Sequence, residues 1–126
     1  MTRKRILIVD DNSELRKLVR LTLELEDYAL HEAQSADECL PAVRALDPDL
    51  VLLDVMTPGT KDGLEACLEI NQSDLPRKPI VVLLTARGQQ TDVAKGLAAG
   101  AAAYVVKPFS PAELAATVKR LLQPRG

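Results

Sequence analysis

Five polar residues stand directly after short apolar runs: Asp10-Asp11 after Ile6–Val9, Asp54 after Leu50–Leu53, Thr85 after Ile80–Leu84, and Lys107 after Tyr104–Val106. If those runs are strands that end at one edge, three carboxylates, a hydroxyl and an amine meet there. Unpartnered carboxylates held close together repel and raise each other's pKa. A hard divalent cation relieves that repulsion, and an oxygen-only ligand set selects Mg2+ or Mn2+ over zinc. A lysine offers a point positive charge and a threonine a hydroxyl donor, the groups that hold a phosphoryl moiety. A carboxylate in such a setting can itself be the nucleophile, forming an aspartyl-phosphate.

The elements that must position these residues are legible in the hydrophobic pattern. The four runs are rich in Ile, Val and Leu and lack polar alternation, as expected for strands buried on both faces of a parallel sheet. A weaker run, Tyr28–Ala33, alternates through His31 and Glu32 and reads as an edge strand, with His31 at the surface. Helical periodicity lies between the runs. The first helix carries Leu15, Leu18, Val19, Thr22 and Leu25 as its stripe, and the second, capped by Ser35, carries Ala36, Leu40, Val43 and Leu46. The third spans Gly63–Asn71 with Leu64, Cys67 and Leu68 on one face. The fourth spans Thr91–Ala99 with Val93 and Leu97, and has the poorest apolar face. Ser110-Pro111-Ala112-Glu113 opens the fifth with a cap, a proline at the first helical position and a capping-box glutamate, ahead of Leu114, Val118, Leu121 and Leu122. Pro41 falls inside the second helix, where a kink or early break is expected.

The result is a βα unit repeated five times. Parallel strands need right-handed crossovers, so helices cover both faces. The fold class expected is α/β, a doubly wound five-stranded parallel sheet, (βα)5, of strand order 2-1-3-4-5. In that order the first and third strands are neighbours, which brings Asp10, Asp11 and Asp54 together at the carboxyl ends, where such sheets bind ligands. Read in isolation, each residue also has an ordinary role. Asp10 and Asp11 could cap the first helix, as could Asn12 and Ser13. Asp54 could begin a turn and Thr85 could end a strand; Lys107 could be a solvated turn lysine and Tyr104 a plain strand aromatic.

Composition narrows the function classes. The chain has 126 residues, 47% of them hydrophobic, enough for one domain with a core that needs no disulfide or metal staple. Sixteen Lys+Arg against eighteen Asp+Glu exclude a general nucleic-acid binder. Tyr28, Tyr104 and Phe109 are too few for a base-stacking platform. Cys39 and Cys67 read as buried small hydrophobes, and a lone histidine excludes a Cys/His metal cage. No run approaches the roughly 18 apolar residues of a membrane span, so a cytoplasmic, reduced protein is expected.

The pieces ILIVDDN at 6–12, LVLLD at 50–54 with Pro58 four residues on, IVVLLTA at 80–86 and GLAAGAAAYVVKPF at 96–109 together resemble the receiver domain of two-component response regulators. The resemblance covers nearly the whole chain and implies a phosphorylation-dependent switch rather than an enzyme with turnover. Asp54 would accept a phosphoryl group from a sensor histidine kinase or phosphotransfer protein. Asp11, Asp54 and the backbone carbonyl of Met56 would ligate Mg2+, with Asp10 acting through water. Thr85 and Lys107 would hold the phosphoryl oxygens, and Tyr104 would follow Thr85 as the switch aromatic. The surface of the fourth helix, fifth strand and fifth helix would change and carry the signal to an unknown downstream protein. Residues 1–126 would be a single receiver domain without an output domain in this chain. No direct nucleic-acid or membrane binding is expected, and the chain would be a monomer or weak dimer.

Two departures accompany the resemblance. The loop VMTPGTKDG carries one residue more than the family usually places before the glycine at Gly63, around Thr60-Lys61. Ala102 and Ala103 stand where many DNA-binding relatives carry two acids, so the charge-paired dimer of those relatives is not expected. Met56 and Arg87 flank the site and would tune hydrolysis. Three other readings compete with it. A haloacid-dehalogenase-like phosphatase needs a second aspartate two residues after the first-strand nucleophile, where this chain has Asn12 or Ser13. A flavin carrier needs backbone donors for a phosphate, which the acidic DDNSE loop would repel. A receiver-like scaffold that works without phosphorylation would have no use for the intact acidic set.

Overall fold

The computed structural model describes residues 3–56, 59–86 and 90–123, with residues 90–93 as backbone. Pro58, Arg87 and the Val93 side chain, which the sequence singles out, lie outside the described residues. The chain runs β1 (Lys4–Val9), α1 (Ser13–Leu23), β2 (Tyr28–Ala33), a 3-10 turn (Ala36–Glu38), α2 (Cys39–Leu46), β3 (Leu50–Asp54), α3 (Gly63–Gln72), β4 (Ile80–Ala86), α4 (Gln90–Ala98), β5 (Ala103–Lys107) and α5 (Pro111–Leu122). The strands form one parallel sheet in the order β2-β1-β3-β4-β5, as the doubly wound reading requires.

The pleat sorts the core into two layers, because successive strand residues point to opposite faces. Ile6, Ile8, Leu50, Leu52, Val82 and Leu84 face one side and bury Val19 and Leu23 of α1 with Leu114 and Val118 of α5. Leu7, Val9, Val51, Leu53, Val81 and Leu83 face the other and bury Cys39, Val43, Ala66, Cys67 and Ile70 of α2 and α3. Each large aliphatic fully withdrawn from water stabilises the fold by about 1.5–3 kcal/mol. Covering both faces explains why the three central strands lack polar alternation.

Helix faces differ from the sequence expectation in places. In α1 the buried residues are Val19 and Leu23; Leu18 is 41% exposed and Leu25 is 91% exposed, beyond the helix end. The five-residue stripe extrapolated the period past Leu23, where Glu24 ends the helix. In α3, Ala66, Cys67 and Ile70 are buried while Leu68 is 41% exposed. A capping box missed in the sequence starts α3: the Asp62 side chain accepts from the Glu65 N–H, and Glu65 reaches back to the Asp62 backbone. The second helical segment breaks as Pro41 demands. Ser35 begins a 3-10 turn, and α2 starts at Cys39, which places Pro41 in a first turn whose N–H groups have no intrahelical partner. In α5 the expected cap and proline are present, with Ser110 accepting from the Glu113 N–H and Pro111 at the first helical position.

Candidate functional site

The site is built at the carboxyl ends of β1, β3, β4 and β5. β1 pairs with β3 through Val9–Leu53, one residue before Asp10 and Asp54. That register sets the two carboxylates side by side at the sheet edge. Asp10 is 1% exposed and Asp54 is 5% exposed. Burial of two acids at close range demands a compensating charge, and Lys107 supplies it from β5. Its Nζ lies 3.0 Å from Asp10 Oδ2 and 3.2 Å from Asp54 Oδ2. Two backbone donors complete the set: the Asn12 N–H donates to Asp10 Oδ1 at 2.9 Å, and the Met56 N–H donates to Asp54 Oδ1 at 3.1 Å.

The ordinary reading of Asp10-Asp11 as a helix cap fails here. Asn12 is the cap of α1, its Oδ1 accepting from the Glu14 and Leu15 N–H groups. Asp11 is exposed at the mouth of the site, and Asp10, Asp11 and Asp54 each offer an oxygen within 4.8 Å of the others. Direct Mg2+ ligands at 2.0–2.1 Å lie at most about 4.2 Å apart. Oxygens gathered within 4.8 Å of one another are close enough to share one such cation. This donor set, oxygen alone and strongly anionic, fits a hard cation of that kind.

Electrostatics agree with the geometry. Burial, then the Asp10 charge, raise Asp54 from 3.8 to about 6, against the opposing pull of Lys107 and the Met56 N–H. Burial pushes Lys107 down, but its hydrogen bond to Asp10 and the Asp54 and Asp10 charges outweigh that and hold it above its ordinary value. The ammonium is therefore charged at neutral pH and shared between the two acids.

Thr85 is 2% exposed at the end of β4, and its hydroxyl makes a long 3.5 Å contact with the Ala86 carbonyl. Such a contact is weak and leaves the hydroxyl free to turn towards a better acceptor. Tyr104 is 45% exposed on β5, paired in register with Leu83, while Thr85 pairs with Val106. The period of two puts Tyr104 on the same sheet face as Thr85, one diagonal step away. Met56, whose carbonyl the sequence resemblance implicates, is 60% exposed beside Asp54.

Two supporting residues escape a reading of sequence alone. Arg16, beside the apolar stripe of α1, donates from Nη1 to the Asp10 carbonyl at 2.6 Å and from Nε to Glu32 Oε1 at 2.8 Å. It ties α1 and β2 to the end of β1, and only its position one turn beyond Asn12 hints at this. Gly63 starts α3 so close to β3 that a Cβ there would strike the Asp54 carbonyl oxygen and Val55 Cα. Its N–H donates to the Val55 carbonyl at 2.8 Å, closing the loop beside the acid. Next to the acids, a groove of about 390 Å³ runs between Leu15 and Leu18 of α1 and the segment Lys107–Phe109.

A family model for the response regulator receiver domain matches residues 6–119. Among curated proteins, the transcriptional regulatory protein ResD of Bacillus subtilis (strain 168) is 42% identical over 119 residues, covering 94% of this chain and 48% of ResD. Among solved structures, the chemotaxis response regulator CheY4 of Vibrio cholerae superposes with a TM-score of 0.86 at 28% identity, over 96% of this chain and 100% of that one. A BeF3-activated DrrB receiver domain superposes with a TM-score of 0.84 at 32% identity, over 98% of this chain and 100% of that one. The chain spans about half the length of the curated relatives it matches.

Proposed function

Because the chain belongs to the response regulator receiver domain family, we propose that Asp54 is its phosphoacceptor and that residues 1–126 act as one phosphorylation-dependent switch unit. The observation that carries this reading is the shared lysine: Lys107 bridges Asp10 and Asp54 at 3.0 and 3.2 Å. A positive charge placed there is ready to follow new negative charge on Asp54. An Asp54 oxygen attacks the phosphorus of a phosphohistidine, an O–P bond forms, the N–P bond breaks, and the electron pair leaves on the imidazole. The donor would be a sensor histidine kinase or a phosphotransfer protein. Its imidazole must enter by the open mouth beside Asp11, and the apolar groove along Leu15, Leu18 and Phe109 offers it a footing there.

Asp11, Asp54 and the Met56 carbonyl would hold Mg2+, with Asp10 contributing through water. When bound, the cation neutralises charge on the transferring group. Once formed, the aspartyl-phosphate adds close to two negative charges. Lys107 pairs with them, the Thr85 hydroxyl turns towards the phosphoryl oxygens, and Tyr104 follows into the space Thr85 vacates. The surface of α4, β5 and α5 then differs between the two states, which is the form in which a downstream protein would read it. No helix among the described residues is long and apolar enough to cross a membrane. A cytoplasmic site of action, in reach of a kinase, belongs to this proposal.

The test is direct. Acetyl phosphate with Mg2+ should add about 80 Da, one phosphoryl group, and Asp54→Asn should abolish the gain. Labelling that persists in that variant would reject Asp54. A parent chain that never takes up the group would favour a scaffold that works without phosphorylation.

A further inference from the structure

The extra residue in the β3–α3 connection has a structural counterpart. The loop closes on itself at Val55 and Gly63, beside the phosphoacceptor. Away from the sheet, its described part is fastened to the 3-10 turn that precedes α2. Asp37 uses both carboxylate oxygens for this: Oδ2 accepts from the Thr60 N–H at 3.0 Å, and Oδ1 accepts from Thr60 Oγ1 at 2.8 Å. Gly59 has φ +116 and approaches so closely that a Cβ there would overlap the Asp37 carboxylate. Glycine adopts that conformation without strain and leaves the space empty. Behind the contact, Lys61 pairs with Glu69 of α3 at 2.6 Å, and Asp62 caps the same helix. The lengthened loop is thus held at its outer bend by a residue 23 positions earlier in the chain.

Asp37 lies in the 3-10 turn Ala36–Glu38 that precedes α2. A continuous helix from Ser35 would turn residue 37 to a different azimuth; the 3-10 turn Ala36–Glu38 sets it against the loop. Thr60 holds the Asp37 carboxyl below the usual aspartate range, first through its N–H and then through its hydroxyl. Asp37 is therefore an anionic acceptor throughout the neutral range, and its hydrogen bonds are of the charge-assisted kind.

We propose that Asp37 is a positioning residue for the phosphoacceptor site: by pinning Thr60 it fixes the long β3–α3 loop, and so sets how readily the loop presents Met56 to a divalent cation beside Asp54. The proposal rests on the reading of Asp54 as a Mg2+-dependent phosphoacceptor. A loop that is competent for only a fraction of the time binds its ligand more weakly by that fraction. Losing the pin therefore weakens Mg2+ binding and leaves the chemistry at saturating Mg2+ almost unchanged.

The experiment titrates Mg2+ into the unphosphorylated full chain by isothermal calorimetry, for the parent, Asp37→Ala, Thr60→Val and Glu38→Gln. Circular dichroism checks that each variant is folded. Labelling rates by acetyl phosphate are then measured across Mg2+ concentrations. Asp37→Ala should bind Mg2+ about tenfold more weakly, about 1.4 kcal/mol. Thr60→Val removes one bond with no change of charge and should lose about threefold. Glu38→Gln, which deletes a charge on the same turn, should stay within twofold. Labelling at saturating Mg2+ should stay within twofold for all three. A folded Asp37→Ala chain that binds Mg2+ as the parent does overturns the proposal. So does equal weakening by Glu38→Gln with none by Thr60→Val, since loss of charge then suffices. If Asp37→Ala does not fold, Thr60→Val decides alone. A parent that binds no Mg2+ overturns both this proposal and the reading beneath it; the parent's own titration separates that case from failure of the positioning role.

Discussion

Replacing Asp54 by asparagine should make the fold more stable, by an amount that depends on pH in a defined direction. Asparagine keeps the shape and can still accept from the Met56 N–H, but removes a buried charge that burial and Asp10 disfavour. The Asp54 pKa is raised from 3.8 to about 6 in the folded chain. An acid whose folded pKa is raised binds more protons folded than unfolded between those two values, so stability falls as pH rises through that window. At 1.36 kcal/mol per pH unit the full shift is worth about 3 kcal/mol. Water at the open mouth of the site screens part of it, leaving about 1–2 kcal/mol. For a domain of this size that is a rise in Tm of roughly 3–8 °C. The assay is thermal and urea unfolding followed by circular dichroism, in EDTA, at pH 4, 5, 6 and 7.5. The gain of Asp54→Asn over the parent should be largest at pH 7.5 and close to zero near pH 4, where the parent's own Asp54 is protonated. Titrating groups that do not interact with Asp54 cancel in the difference. A gain that is the same at every pH, or a loss at pH 7.5, would refute the account of the site as an electrostatically loaded one.

Three further outcomes follow from the same structure. Lys107→Met removes the shared cation and leaves Asp10 and Asp54 facing each other; urea unfolding at pH 7.5 should show a loss of about 2–3 kcal/mol, partly recovered at pH 5. Gly63→Ala forces a Cβ against the Asp54 carbonyl and Val55 Cα, so a loss of more than about 2 kcal/mol is expected by the same assay, with slower labelling by acetyl phosphate. Burial lifts the Cys39 thiol to about 12 and the Cys67 thiol to about 11, so a thiol-disulfide reagent at pH 8 should modify both at the rate of unfolding; fast modification of the native chain would contradict their burial.

The strands were legible because burial on both faces leaves a mark that needs no partner to be recognised. Ile80–Leu84 announces itself as a continuous apolar run, while Tyr28–Ala33, at the sheet edge, is mostly half-buried and leaves a weaker mark. Convergence of Asp10 with Asp54 follows from strand order alone, since one residue of register carries both to the same edge. The helix faces were less legible. Leu25 has the spacing of a stripe residue, but the α1 helix ends at Leu23 and the periodicity has no meaning beyond that end. The roles of Arg16 and Asp37 were hidden for a different reason. Each is a polar residue on a locally polar face, and what it holds lies 6 and 23 positions away across a turn of the fold. Nothing in their own neighbourhood distinguishes them from solvated side chains. The sequence places Lys107 opposite the acids; only the folded structure shows one ammonium within reach of both.

That ammonium comes from the last strand of the sheet, and its partner Asp10 stands 97 residues earlier. β1 and β3 lie within the first 54 residues, so pairing those two strands alone would set the acids side by side without the Lys107 ammonium. Until β5 docks, pairing β1 with β3 brings like charges together with nothing between them. Like charges at that edge disfavour β1–β3 pairing by itself, and the ammonium carried by β5 offsets the repulsion. Contacts of such long sequence separation slow folding, because chain entropy must be lost before they form. Here the lysine that relieves both acids comes from the far end of the sequence, so the complete sheet is the arrangement in which they are charge-paired.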